Sequence, residues 1–92
     1  MSTNGVKPTL RIYVAQHCWS FDEAMRLSAE VQRCYNQLVV EVINLEAEGS
    51  VNRDDVFSTP TYVLEGHTIS LGNPSTEELF AKLSALLEVS KT

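Results

Sequence analysis

Cys18 and Cys34 are the only two thiols in the chain, and their settings differ. Cys18 lies in the short break 16–19 (QHCW), between an apolar run and the start of an amphipathic segment. A thiol at a helix start faces unpaired N–H groups and the positive end of a dipole, both of which stabilise an anion. The thiolate, not the thiol, attacks disulfides, and cysteines so placed fall well below the free pKa of about 8.5. Cys18 is therefore the candidate catalytic residue, for attack on a disulfide or an oxidised thiol. The competing reading is a small, unreactive residue, and Ser20, a rival for the N-cap, leans that way.

Cys34 shares an apolar stripe with Leu27 and Val31, which predicts a buried structural thiol. Along a helix it would sit about 24 Å from Cys18, whereas a disulfide needs Cα atoms within about 7 Å. Trp19 follows Cys18, where an aromatic either packs on a bound peptide or thiol, or simply covers the helix end. Thr59-Pro60 opens a β-rich run. A cis bond there would turn the Thr59 backbone toward the Cys18 loop, where an extended partner could pair with it. The alternative is an ordinary strand-entry proline. Trp19, Thr59 and Pro60 are the candidate substrate-binding residues. Gly72-Asn73-Pro74-Ser75 has the makings of a carboxylate site, but turn and cap duties account for it equally well. No metal site is expected, because His17 and Cys18 are adjacent and His67 is distant, without paired ligand spacing. No cofactor is expected either.

The elements that must hold these residues are legible as patterns. Residues 10–15 (LRIYVA) are β-branched and aromatic, as in a strand covered on both faces. Ser20 and Glu23 predict a capping box, and Phe21, Ala24, Leu27, Val31, Cys34 and Leu38 recur at helical spacing, giving a helix over 21–35. Residues 39–45 (VVEVINL) follow as a second strand, so the unit is βαβ with parallel strands. A short helix is expected over 50–56. Residues 58–64 and 67–71 flank Glu65-Gly66 and predict an antiparallel hairpin. A second box, Ser75 with Glu78, starts a terminal helix bearing Leu79, Leu83 and Leu87. The expected class is α/β, ordered β-α-β-(α)-β-β-α, a four-stranded mixed sheet with helices on both faces. Residues 1–8 read as a flexible leader and 9–90 as one domain.

Composition narrows the function. A formal net charge of −5, with no cluster of Lys or Arg, argues against nucleic acid and anionic membrane surfaces as partners. The 43% hydrophobic and 21% charged content is that of a folded globular chain. Apolar runs are only a few residues long, and the start lacks a signal-peptide core, which sets a cytoplasmic expectation. Oligomeric state is left open.

On three features the sequence resembles the thioredoxin-like superfamily, near glutaredoxins and compact bacterial members in size. These are the Cys18 loop between first strand and first helix, Ser58-Thr59-Pro60-Thr61 as a cis-proline segment, and Leu71-Gly72-Asn73 before the last helix. The resemblance implies thiol–disulfide chemistry with a protein or small-molecule thiol or disulfide as partner. The chain also departs from the family pattern. Phe21 replaces the second cysteine, Ile12 falls where thioredoxins carry a buried acid, and Ala15 falls where glutaredoxins carry a base. Asn73-Pro74-Ser75 replaces their acidic pair. A dithiol reductase is thereby excluded in its usual form. Three expectations remain: monothiol exchange, sensing of peroxide or persulfide by Cys18, and a redox-inert interaction module of the KaiB-like sensor type.

Overall fold

The computed structural model describes residues 7–16 and 19–91. Its elements are β1 (Thr9–Val14), α1 (Phe21–Cys34), β2 (Val39–Asn44), β3 (Thr61–Leu64), β4 (His67–Leu71) and α2 (Thr76–Lys91). The four strands form one sheet in the order β2-β1-β3-β4. β1 and β2 are parallel, with Leu10 opposite Val40 and Ile12 opposite Val42. β1 and β3 are antiparallel, as are β3 and β4. The sheet is therefore mixed, as the pattern predicts, and the β1–α1–β2 crossover accounts for the parallel pair.

Alternation along β1 sorts its side chains between two faces. Leu10, Ile12 and Val14 point to the first, joined by Tyr62 and Leu64 of β3. Ala24, Leu27 and Val31 of α1 pack there, and so do Leu79, Leu83 and Leu87 of α2. The two helices also meet directly. The rings of Tyr35 and Phe80 lie edge to face at 5.3 Å, and the Tyr35 hydroxyl donates to the Phe80 carbonyl at 3.2 Å. Each fully buried aliphatic side chain in such a core contributes about 1.5–3 kcal/mol.

Both helices thus lie on one face, which corrects the expectation of helices on both. The reason is that the short helix expected over 50–56 does not form. Asn52 bonds both backbone groups of Val56: its Nδ2 donates to the carbonyl at 2.7 Å, and its Oδ1 accepts from the N–H at 3.0 Å. Such side-chain-to-backbone bonds compete with helix bonds, and a segment this short cannot offset the cost of nucleation. Gly49 and Asp55, at φ 83° and 55°, bend the chain further out of helical geometry.

The second face is covered by that irregular β2–β3 connection. Arg11, Tyr13 and Val63 point this way, and Tyr13 and Val63 are buried. The Tyr13 hydroxyl donates to Asp54 Oδ2 at 2.5 Å, and Arg11 lies 3.5 Å from the same carboxylate while its Nε donates to Glu41 at 3.0 Å. Burial first, then the bond to Asp54 and its charge, push the Tyr13 phenol up, so it stays a donor. One carboxylate pins the loop to the sheet.

At the N-terminal side, the Pro8 carbonyl accepts from the Val39 N–H at 2.9 Å, so the expected leader already pairs at residue 8. Its residues 1–6 lie outside the described residues. The β3–β4 turn, Glu65-Gly66, has both φ values positive, 50° and 82°, as a two-residue hairpin loop requires. Among the described residues, no helix is long and apolar enough to cross a membrane.

Candidate functional site

Because β1, β2 and β4 run one way and β3 the other, four chain segments converge at one end of the sheet. They are the loop after β1, the start of the β2–β3 connection, the entry to β3 and the loop after β4. The Leu45 N–H donates to the Val14 carbonyl at 2.9 Å, which anchors the second of these to the first. His17 and the candidate nucleophile Cys18 belong to the loop after β1 and lie outside the described residues. Of its described residues, Ala15 and Gln16 follow β1, and Trp19 and Ser20 lead into α1.

Ser20 is the N-cap of α1, at φ −84° and ψ 1°, and its side chain makes no capping bond. The box expected between Ser20 and Glu23 is thus absent. That backbone conformation is not the extended one a capping side chain needs, and Glu23 turns instead to Arg26, at 2.9 and 2.7 Å. The bond to Arg26 is the main influence holding the Glu23 carboxyl low. The second box does form. Ser75 Oγ accepts from the Glu78 N–H at 3.0 Å, and Glu78 Oε1 accepts from the Ser75 N–H at 3.1 Å.

The Ser20 carbonyl is held from across the site. Asn73 Nδ2 donates to it at 3.1 Å, and Asn73 Oδ1 accepts from the Tyr62 hydroxyl at 2.8 Å. Tyr62 is fully buried. Burial, helped by the charge of Glu23 and opposed by Arg26, pushes its phenol up, so it remains protonated and donating. Next to Asn73, the Gly72 N–H donates to the Pro60 carbonyl at 2.7 Å. Gly72 has φ 88°, a conformation other residues adopt only with strain. One short turn therefore ties the start of α1 to the entry of β3.

The Thr59–Pro60 peptide is cis. Pro60 is buried and Thr59 half-buried. Among the described residues neither backbone group of Thr59 has a hydrogen-bond partner. Trp19 is 91% exposed, so covering the helix end is not what it does. Trp19, Thr59 and Pro60 are thus at the same end of the sheet.

Cys34 is elsewhere, and it is exposed rather than buried. Helical residues turn by about 100° each, so Cys34 falls about 80° from the line through Ala24, while Tyr35 falls about 20° from it. Tyr35 takes the core position at the helix end, and Cys34 is left at the margin. Phe57 was not singled out as a site residue by its sequence, and Asn73 was singled out only as part of a candidate carboxylate site and of the resemblance, not as a bridge between loops. Phe57 was visible as an apolar residue in a polar run just before Thr59, and it is 93% exposed. Nothing in the sequence pointed to the bonds of Asn73 with Ser20 and Tyr62. Among the described residues no group of His, Cys, Asp or Glu is arranged to hold a metal.

No family model matches the chain, and no curated protein does. Among solved structures, thioredoxin O2 from Arabidopsis thaliana in its oxidized state superposes with a TM-score of 0.71 at 16% identity. The match covers 90% of this chain and 77% of that one. The chain has a thioredoxin-like fold. At that identity the likeness is one of architecture.

Proposed function

We propose that this protein carries out monothiol disulfide exchange, or thiol-based redox sensing, through Cys18. One observation supports the reading above others: the segment bearing Cys18 enters α1 beside the Ser58-Thr59-Pro60 segment, the two linked through Asn73 and Gly72. In the first step the Cys18 thiolate attacks a partner disulfide. A bond forms between Cys18 Sγ and one partner sulfur, the partner S–S bond breaks, and the second sulfur leaves as thiolate. Phe21 cannot resolve this mixed disulfide. A second, external thiol attacks the partner sulfur, releases the Cys18 thiolate and is itself left in the new disulfide. The external thiol is thereby oxidised, the partner sulfur that left in the first step is the one reduced to a thiol, and Cys18 is regenerated.

Thr59 supplies unpaired backbone groups for an extended partner, Pro60 fixes their direction, and Trp19 covers the bound chain. A cytoplasmic setting, rich in reducing thiols, belongs to this reading.

With Ser20 as the N-cap, Cys18 stands two positions before the cap in sequence, which favours a second reading, a redox-inert interaction module. Exchange with a small disulfide reporter separates the two. Cys18→Ser abolishes exchange and Cys34→Ser leaves it unchanged if Cys18 is the nucleophile; equal rates in the two variants would refute it.

A further inference from the structure

The end of the sheet that carries the Cys18 loop is both apolar and acidic. Trp19, Phe57 and Leu71, at 91%, 93% and 68%, are the most exposed large apolar side chains among the described residues. All three belong to this end. Phe57 precedes Thr59-Pro60, and Leu71 pairs with Thr61 directly after it. Isolated exposed apolar residues are ordinary, but several at the mouth of a site mark a contact surface.

Charge at the same end is mainly negative. Asp22, Glu48, Asp55 and Glu77 are exposed. Within 15–25, 45–60 and 72–81, Arg53 is the single Lys or Arg. The other cations nearby are engaged: Arg26 with Glu23, and Lys82 with the Ile69 carbonyl at 2.7 Å. So is Arg11, which lines one cavity with Glu48 and Arg53, with Glu41 at 3.0 Å and Asp54 at 3.5 Å. Lys7, which donates to the Asn36 carbonyl, and Arg33 are at the far end of α1.

From this pairing we infer that the disulfide opened by Cys18 belongs to an extended protein segment bearing apolar and positively charged side chains. The inference rests on the exchange function proposed above and specifies its partner. A small anionic disulfide such as that of glutathione brings carboxylates to a surface where, among the described residues, Arg53 is the one cation not engaged, and like charges slow encounter. A cationic segment is steered in instead, and steering of this kind changes association rates by about 10- to 1,000-fold at low salt. Its apolar side chains have Trp19, Phe57 and Leu71 to cover, and its main chain has Thr59 to pair with.

The test uses two disulfide-bridged peptides of equal length and equal Leu and Phe content, one carrying Lys and the other Glu, alongside glutathione disulfide. At low ionic strength the Lys peptide is expected to react with the full chain at least about tenfold faster than either acidic probe. The advantage should shrink toward unity at high salt, where screening shortens the reach of surface charge. Equal rates, or a faster acidic probe, overturn the inference and leave the exchange function standing. If none of the probes reacts, the exchange function fails, and binding decides the surface. Trp19 is the only tryptophan, so its fluorescence reports titration of the Cys18→Ser chain with the two peptides made as Ser analogues. Binding of the Lys form alone supports the surface; binding of neither, or of both equally, overturns it.

Discussion

The side-chain amide of Asn73 donates to the backbone carbonyl of Ser20 across 3.1 Å, joining the turn before α2 to the start of α1. Its oxygen is held in turn by the buried Tyr62 hydroxyl. Asn73→Ala removes both bonds and leaves that hydroxyl unsatisfied, at an expected cost of about 1–3 kcal/mol. Urea unfolding reads the loss. A change under about 0.5 kcal/mol, the range of inert surface substitutions, would mean that the bridge does not hold the two loops together.

On the opposite face, Asp54 plays the part of a missing helix. Tyr13→Phe and Asp54→Asn should each destabilise, and the pair should do so less than additively. The coupling expected for contacting partners is about 0.5–3 kcal/mol. Limited proteolysis gives a second view: either variant should be cut faster within 45–57, where the loop has lost its anchor. Strict additivity would separate Tyr13 from loop anchoring.

Alkaline stability follows from Tyr62. Its phenol is raised in the folded state by burial, so folded protein holds that proton more tightly than unfolded chain does. The corresponding stabilisation is complete below the ordinary value of about 10 and is lost as pH climbs beyond it toward the folded value. Unfolding midpoints should therefore fall more steeply above pH about 10 in the parent than in Tyr62→Phe. Parallel alkaline limbs would contradict the assignment.

Cys34 offers a simpler check. Being exposed, it should alkylate in the native protein, and Cys34→Ser should shift stability by no more than about 0.5 kcal/mol. A thiol that reacts only after denaturation would restore the buried position its spacing suggested.

That contrast shows what a linear pattern carries. The order of elements along the chain and the βαβ unit were readable because the β-branched, apolar run at 10–15 and the helical spacing at 24–31 each have a single packing solution. Cys34 was misjudged because a stripe has edges, and Tyr35, one residue on, fits the core better. The helix over 50–56 failed for a local reason: Asn52 supplies to Val56 the bonds a helix would have supplied. The candidate site was read as types and order, namely Cys18, Trp19 and Thr59-Pro60, and the structure places the described three, Trp19, Thr59 and Pro60, at one end of the sheet. The contacts that hold its walls were not, because Asn73 meets Ser20 and Tyr62 only after the sheet has formed. The tie from Tyr13 to Asp54 was hidden for the same reason.

The pH dependence of Cys18 alkylation, measured in a Cys34→Ser background, tests the proposed chemistry most directly. A nucleophile stabilised by the start of α1 should show a midpoint clearly below the free-thiol value of about 8.5, with rapid reaction at neutral pH. A midpoint at or above about 8.5, with slow alkylation, would contradict it and leave the thioredoxin-like frame as an interaction module.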